Sequence, residues 1–503
     1  MSYLGLDIGT TGCKAVVFDD CGRQLSSSRR EYQVISPQEG FAELDSERVI
    51  SGCFDVIREA AGSINEDPVC AIAISSQGEA FTPIGSDGEM LGNAMVSSDS
   101  RAAAIASTWT EKFGAEKLYL ITGHTAHPMF TLFKLLWLRD NRPDIWKRAN
   151  AFYCFEDLMH YKLGLEPVVS WPLAGRTMLF DVCKHEWSEE ILSAVGLEAS
   201  RLAKPLASGE IVGKLPHQIA RDLGLSDDVT VVAGGHDQPC CALGAGVAST
   251  DRAVYGIGTV ECITPAFDEP IFSDELMSKN LCTYDFTVRG MYTTVAYSLT
   301  GGNLLQWFRD ELGQQEVQKA SIAGLNAYDI LLNEMASEPT SLIVLPYFTP
   351  SGTPYFDTET KGAILGLRLT TKRSEILRAL LEGVALEMRL NLDILERSGA
   401  RVRELTATGG GARNRKWIQL KADVLNRPIG IAEVTEAGCM GAAMLACAAV
   451  SGEDVTKIAQ RWVRLTEVVE PNQQRAEHYN KVFPEYLNLY PMISEFYRKD
   501  GRK

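Results

Sequence analysis

The chain is short of four things, and each shortage removes a class of function. Its 12 cysteines contain no Cys-x-x-Cys pair and are scattered except for adjacent Cys240 and Cys241. That excludes the usual zinc spacing and, in a chain of 503 residues, predicts reduced, mostly buried thiols. Positive charge is scarce: 49 Lys and Arg face 65 Asp and Glu, a formal net charge of -16. This balance argues against a nucleic-acid or anionic-membrane surface. No apolar run approaches the ~20 residues of a membrane span. The first residues also lack a basic segment followed by a long apolar one, so no signal peptide is expected and a cytoplasmic location is. Finally, no Gly-Lys-Ser/Thr ends a glycine-rich loop, which rules out a Walker A site.

What is present is ordinary in bulk, with 45% hydrophobic and 23% charged residues, as in a globular protein with a full core. The length suggests two to four domains at ~100–200 residues each. Strand and helix patterns alternate along both halves, which favours two α/β lobes, with a boundary near residue 247 (1–246 and 247–503). Expected strands include residues 1–20 as a hairpin, 70–75, 229–233, 253–263, 404–408 and 429–432. Expected helices include 46–64, 374–395 and 438–449. The charged tail at 498–503 is expected to fray.

The richest segment is the first hairpin, where Asp7-Ile8-Gly9-Thr10-Thr11-Gly12 joins two apolar runs and Lys14 follows. Such a turn offers backbone N–H groups, hydroxyls and a carboxylate, which suit phosphate and Mg²⁺. It also fits an ordinary hairpin. Ile8-Gly9-Thr10 recurs as Ile257-Gly258-Thr259, and Cys13 recurs as Cys262 at the same offset. Gly234-Gly235-His236-Asp237-Gln238-Pro239 brings an acid to the end of an apolar strand. That acid suits a proton acceptor, and it equally suits an N-cap. Thr408-Gly409-Gly410-Gly411 with Asn414 stands between a strand and a helix, as a nucleotide turn or a plain βα turn. Asn414 can bond a base or cap that helix. Gln77, Glu79, Asp99 and Arg101 can pair with hydroxyl groups or sit on the surface. Lys134, inside the apolar run Met129–Leu138, is expected to snorkel or pair with an acid.

Together these segments resemble the FGGY family of carbohydrate kinases, within the hexokinase, actin and heat-shock ATPase superfamily. Residues 129–141, with Lys134, Trp137 and Asn141 in register, resemble one family signature. Gly362–Leu367 with Glu375, Ile376 and Ala379–Glu382 resembles another. The resemblance implies two ribonuclease-H-like (actin-like ATPase) lobes, each a mixed sheet flanked by helices, with the active-site cleft between them. It implies Asp237 as catalytic base and Asp7 with Asp237 as holders of Mg²⁺. Thr10, Thr11, Gly12, Lys14, Gly258 and Thr259 would face the ATP phosphates, and Gly410, Gly411 and Asn414 the adenosine. The sugar would meet Gln77, Glu79, Asp99, Arg101, Asp237 and Gln238. Partners beyond sugar and ATP are not implied, apart from a homodimer.

Two positions depart from familiar members. Gly78 stands between Gln77 and Glu79 where glycerol kinases carry Arg and xylulokinases carry Met in Gln-Met-His. Met129 stands where glycerol kinases carry Tyr. The small Gly78 is expected to leave room for a larger sugar. The expected acceptor is a ketopentose such as xylulose. A ketohexose such as fuculose, a polyol such as glycerol or erythritol, and a sugar acid are the alternatives. A catalytically silent sugar-binding regulator is the rival class.

Overall fold

The computed structural model describes residues 1–64 and 67–499, so the end of the charged tail lies outside the described residues. The first lobe is built on a mixed six-stranded sheet. β1 (Ser2–Ile8), β2 (Gly12–Asp19) and β3 (Gln24–Glu31) form an antiparallel meander. Helix α1 (Ser46–Gly62) follows, capped by the Asp45 side chain, and β4 (Val69–Ser76) then pairs parallel with β1. A long insertion carries α2 (Thr131–Asn141) and α3 (Phe155–Lys162). The chain returns through β5 (Ile211–Lys214) and β6 (Thr230–His236) into α4 (Asp237–Gly244). The order β5–β6–β4–β1–β2–β3 sets β1, β4 and β6 side by side and parallel. Their carboxyl ends therefore open at one level, where ligands of α/β sheets bind.

The second half repeats this plan. β7 (Arg252–Ile257) and β8 (Glu261–Phe267) form the hairpin, and β9 (Ala296–Ser298) adds on the outer side of β8. The 25-residue helix α5 (Arg373–Arg397) precedes β10 (Glu404–Thr408). Then come α6 (Arg415–Leu425), β11 (Ile429–Ala432), α7 (Ala437–Ser451) and β12 (Leu465–Val469). β7, β10 and β11 are parallel neighbours.

The hairpin echo holds in topology but not in register. Ile8 pairs with Cys13, whereas Ile257 pairs with Glu261. The second turn is one residue shorter, so Glu261 stands at the place of Cys13, and the repeated cysteine carries no structural meaning. Gly256 takes the place of Asp7, so the second turn brings no carboxylate at that site.

Apolar side chains gather in clusters on the sheet faces, and one cluster joins the lobes. Tyr3, Phe18, Ala73 and Val232 of the first sheet pack with Cys439, Met444 and Ala446 of α7. Glycines let this helix come within backbone contact. A Cβ on Gly5 would stand 1.8 Å from the Cys439 carbonyl oxygen, and one on Gly441 would stand 2.0 Å from that of Cys240. All twelve cysteines are free, and only Cys21 and Cys183 are exposed. Among the described residues no helix is long and apolar enough to cross a membrane.

Gly5→Ala should therefore destabilise the protein by about 1–3 kcal/mol, the usual cost of overpacking. The measurement is the urea midpoint at unchanged slope. Gly62→Ala, whose Cβ would meet nothing within 4 Å, should leave the midpoint unchanged or raise it.

Candidate active site

A cavity of ≈ 210 Å³ opens between the lobes. Thr10, Gln77, Glu79, Asp237 and Gln238 line it from the first lobe, and Val260 and Cys262 from the second. Met129 and Phe130, just before α2, and Arg176 and His124 line it from the insertion.

Asp237 is the first residue of α4; His236 takes the cap position, so the cap expected of Asp237 is not its role. Its Oδ1 lies 3.1 Å from His236 Nε2 without hydrogen-bond alignment, and so this buried oxygen has no hydrogen-bond partner. Burial, reinforced by the charges of Asp7 and Glu79, pushes the Asp237 carboxyl up to about 7. Burial also holds Asp7 above the ordinary carboxylate range, although Ser75 Oγ donates to its Oδ1 at 2.7 Å. His236 is pushed well below its ordinary value by burial and then by Arg176 and His124, so it is neutral. Its Nδ1 shares a hydrogen bond with the Tyr284 hydroxyl at 3.0 Å.

Opposite Asp237 stands a buried relay. Arg176 Nε donates to Glu79 Oε1 at 2.6 Å, and Arg176 Nη1 lies 3.1 Å from His124 Nε2. His124 Nδ1 is 2.7 Å from the Thr122 carbonyl, which can only accept, so Nδ1 carries the proton and Nε2 accepts from Arg176. Burial lowers His124 to about 3, in keeping with a neutral ring. Glu79 holds a left-handed backbone, φ 65°. Its carbonyl accepts from Thr131 Oγ1 at 2.8 Å and from Lys134 Nζ at 3.4 Å. Lys134 is wholly buried and gives its second bond to the Met95 carbonyl at 3.1 Å. It neither snorkels nor bonds an acid side chain. Its work is to fix the backbone of Glu79.

Gly78 lines the cavity at a point where neighbouring side chains already crowd its backbone. A Cβ there would stand 3.1 Å from the His236 ring and 3.2 Å from Arg176 Cβ.

The two glycine-threonine turns face each other across the cleft. Gln77 clamps the first: its Oε1 accepts from Thr10 Oγ1, and its Nε2 donates to the Gly9 carbonyl, both at 3.0 Å. The second is tied to the start of a helix, since Gly302 N donates to the Gly258 carbonyl at 2.9 Å. Gly409, at φ 87°, and Gly411 both press on Ile257, while a Cβ on Gly410 would meet open space. Asn414 caps α6 by accepting from the N–H groups of Lys416 and Trp417. Lys14 does not stand free: it pairs with Glu436 across the lobes at 2.7 Å.

Asp99 and Arg101 are not among the cavity-lining residues. They pair with each other at 2.6 Å, and Arg101 also pairs with Glu43 and covers the Phe41 ring. Gln238 lines the cavity, with its Oε1 accepting from the Cys262 thiol of the other lobe at 3.2 Å. Arg176, His124 and Tyr284 were not singled out from sequence. They stand far from the glycine motifs in the chain and meet them only through the fold. Asp7 and Asp237, both partly exposed and the latter with one buried, unpartnered oxygen, offer carboxylate oxygens of the kind Mg²⁺ takes.

The model of the FGGY family of carbohydrate kinases matches in two parts, its N-terminal domain over residues 2–244 and its C-terminal domain over 254–450. A xylulose kinase of Bacillus subtilis is 26% identical, covering 97% of this chain and 97% of its own. A gluconokinase of the same organism is 25% identical, covering 98% and 96%. The ligand-bound xylulose kinase structure from Lactobacillus acidophilus superposes with a TM-score of 0.90 at 24% identity, covering 99% of each chain. That likeness extends to the two-lobed fold.

The raised Asp237 carboxyl has a consequence for stability. Between its unfolded and folded values the native state binds the extra proton, so this residue's penalty grows as pH rises and is complete above about 7. Asp237→Asn should therefore melt above the wild type at pH 8, with the difference shrinking toward pH 5. Thermal unfolding without nucleotide measures this, and an equal difference in melting at both pH values would refute the raised carboxyl.

Proposed function

The chain belongs to the FGGY family of carbohydrate kinases, and on that premise we propose that it transfers the γ-phosphoryl group of ATP to a hydroxyl of a neutral ketose, a ketopentose of the xylulose kind. One observation carries this reading: Asp237, whose Oδ1 has no hydrogen-bond partner, stands at a strand end in the interlobe cavity that the Glu79–Arg176 pair also lines.

In this reading the acceptor lies against Gln77, Glu79 and Gln238. Asp237 takes the hydroxyl proton as the acceptor oxygen bonds to the γ-phosphorus and the bond to the ADP oxygen breaks. Thr10, Thr11, Gly12, Gly258 and Thr259 hold phosphate oxygens, and the open face of Gly410 admits the adenosine. Asp7 and Asp237 would hold Mg²⁺, which when bound offsets charge on the phosphates.

Charge favours a neutral acceptor over a sugar acid. Among the described residues lining the cavity, the lone cation at neutral pH is Arg176, and it is engaged by Glu79 and His124. Glu79 and Asp237 leave the cavity acidic on balance. The carboxylate of an aldonate finds no uncommitted cation there. Relatives named for xylulose and for gluconate are equally distant, so this charge balance is the stronger guide.

ADP release over pentuloses, hexuloses, polyols and aldonates should show turnover with a ketopentose. A preference for aldonates would overturn the acceptor class. Asp237→Asn should lower kcat on the order of 10²–10⁴-fold while the acceptor still binds. The wild-type kcat/KM should climb with pH and level off above about 7, because the base must be ionised.

A further inference from the structure

We propose that Glu156 is a positioning residue that fixes, through one buried carboxylate, both the strand end carrying Asp237 and the segment carrying Arg176. This rests on the roles given to those two residues above. Glu156 is on α3, fully buried, and outside the cavity lining. Its Oε1 accepts from Gly234 N at 2.8 Å. Its Oε2 accepts from Ser170 N at 2.9 Å and from Ser170 Oγ at 2.6 Å.

Each arm ends near the chemistry. The register of β6 against β4 shifts between Val232 and Gly235, an irregularity that takes Gly234 out of the ladder. A Cβ on Gly234 would stand 1.9 Å from the Ile74 carbonyl oxygen, so the bulged backbone is pressed onto β4. A buried N–H at such a bulge needs an acceptor, and Glu156 supplies it. Three residues on, the strand delivers Asp237. On the other arm, Ser170 leads through the short helix Trp171–Gly175 to Arg176. Three donors converge on two oxygens, which calls for the ionised carboxylate. Burial opposes that form and pushes the group up to about 7, while the bonds from Ser170 and Gly234 favour it.

Glu156→Gln keeps the shape but aims an amide N–H at one of these donors. It should lower kcat by about ten- to a hundred-fold, as for a misplaced catalytic group. Its KM for ATP should stay within about two-fold. Ser170→Ala removes one donor on the Arg176 side alone. It should raise the acceptor KM by about three- to ten-fold, the loss of one hydrogen bond, with kcat nearly unchanged. A Glu156→Gln protein that melts and binds ATP like the wild type yet keeps full kcat would overturn the proposal. If that variant does not fold, Ser170→Ala decides, and an unchanged acceptor KM overturns it. Asp237→Asn run in parallel separates the two readings. Retained turnover there would fault the base assignment. Loss of turnover there, beside a fully active Glu156→Gln, would fault the role of Glu156 alone.

Discussion

The lobes meet backbone against backbone, and the cleft exists because of it. α7 belongs to the second half of the chain but lies on the sheet of the first. Gly5, Gly244 and Gly441 remove the side chains that would hold it away. The start of that helix then reaches the first turn: a Cβ on Gly438 would stand 3.3 Å from the Asp7 carboxylate. Glu436, just before it, takes the charge of Lys14. Close packing of small residues thus does two jobs. It sets the two glycine-threonine turns across from each other, and it takes water away from Asp7, whose carboxyl rises for that reason.

Desolvation also explains why the cleft carries so little positive charge. The insertion brings His124 and strand β6 brings His236 beside Arg176, and burial keeps both rings neutral. Arg176 is absorbed by Glu79. What remains is two acids near each other, one of them with an oxygen unanswered by any donor. A cleft of this kind is poorly satisfied when empty. A cation placed beside these carboxylates would offset their charge and favour the ionised form of Asp237.

The α/β lobes were legible from the alternation of strands and helices, and the glycine turns and Asp237 stood out as local motifs. Parallel strand ends collect such turns at one level. The misreadings came where tertiary contacts decide. The repeated cysteine matched by offset, but the shorter second turn put Glu261 at the place of Cys13, where it forms a buried pair with Lys421 at 2.6 Å. Asp99 and Arg101 were the right residue types, yet they complete a structural network with Glu43 and Phe41. Lys134 was noticed as odd, but its function depends on which carbonyls lie under it. Arg176 had no local signal, because its partners are 97 and 52 positions away.

Position 78 shows how tightly the cavity wall couples its residues. The glycine turns are held by close backbone contacts, which tolerate little variation in shape. The cavity wall around Glu79 is assembled from side chains of three separate segments. With Gly at 78, the His236 ring and the Arg176 stem close over the backbone there. A large side chain at 78 would have to displace both, and would carry with it the Glu79 carboxylate that Arg176 holds. Residue 78, Arg176 and His236 are therefore one steric unit. A change at any one of the three is felt by the other two and, through Arg176, by Glu79.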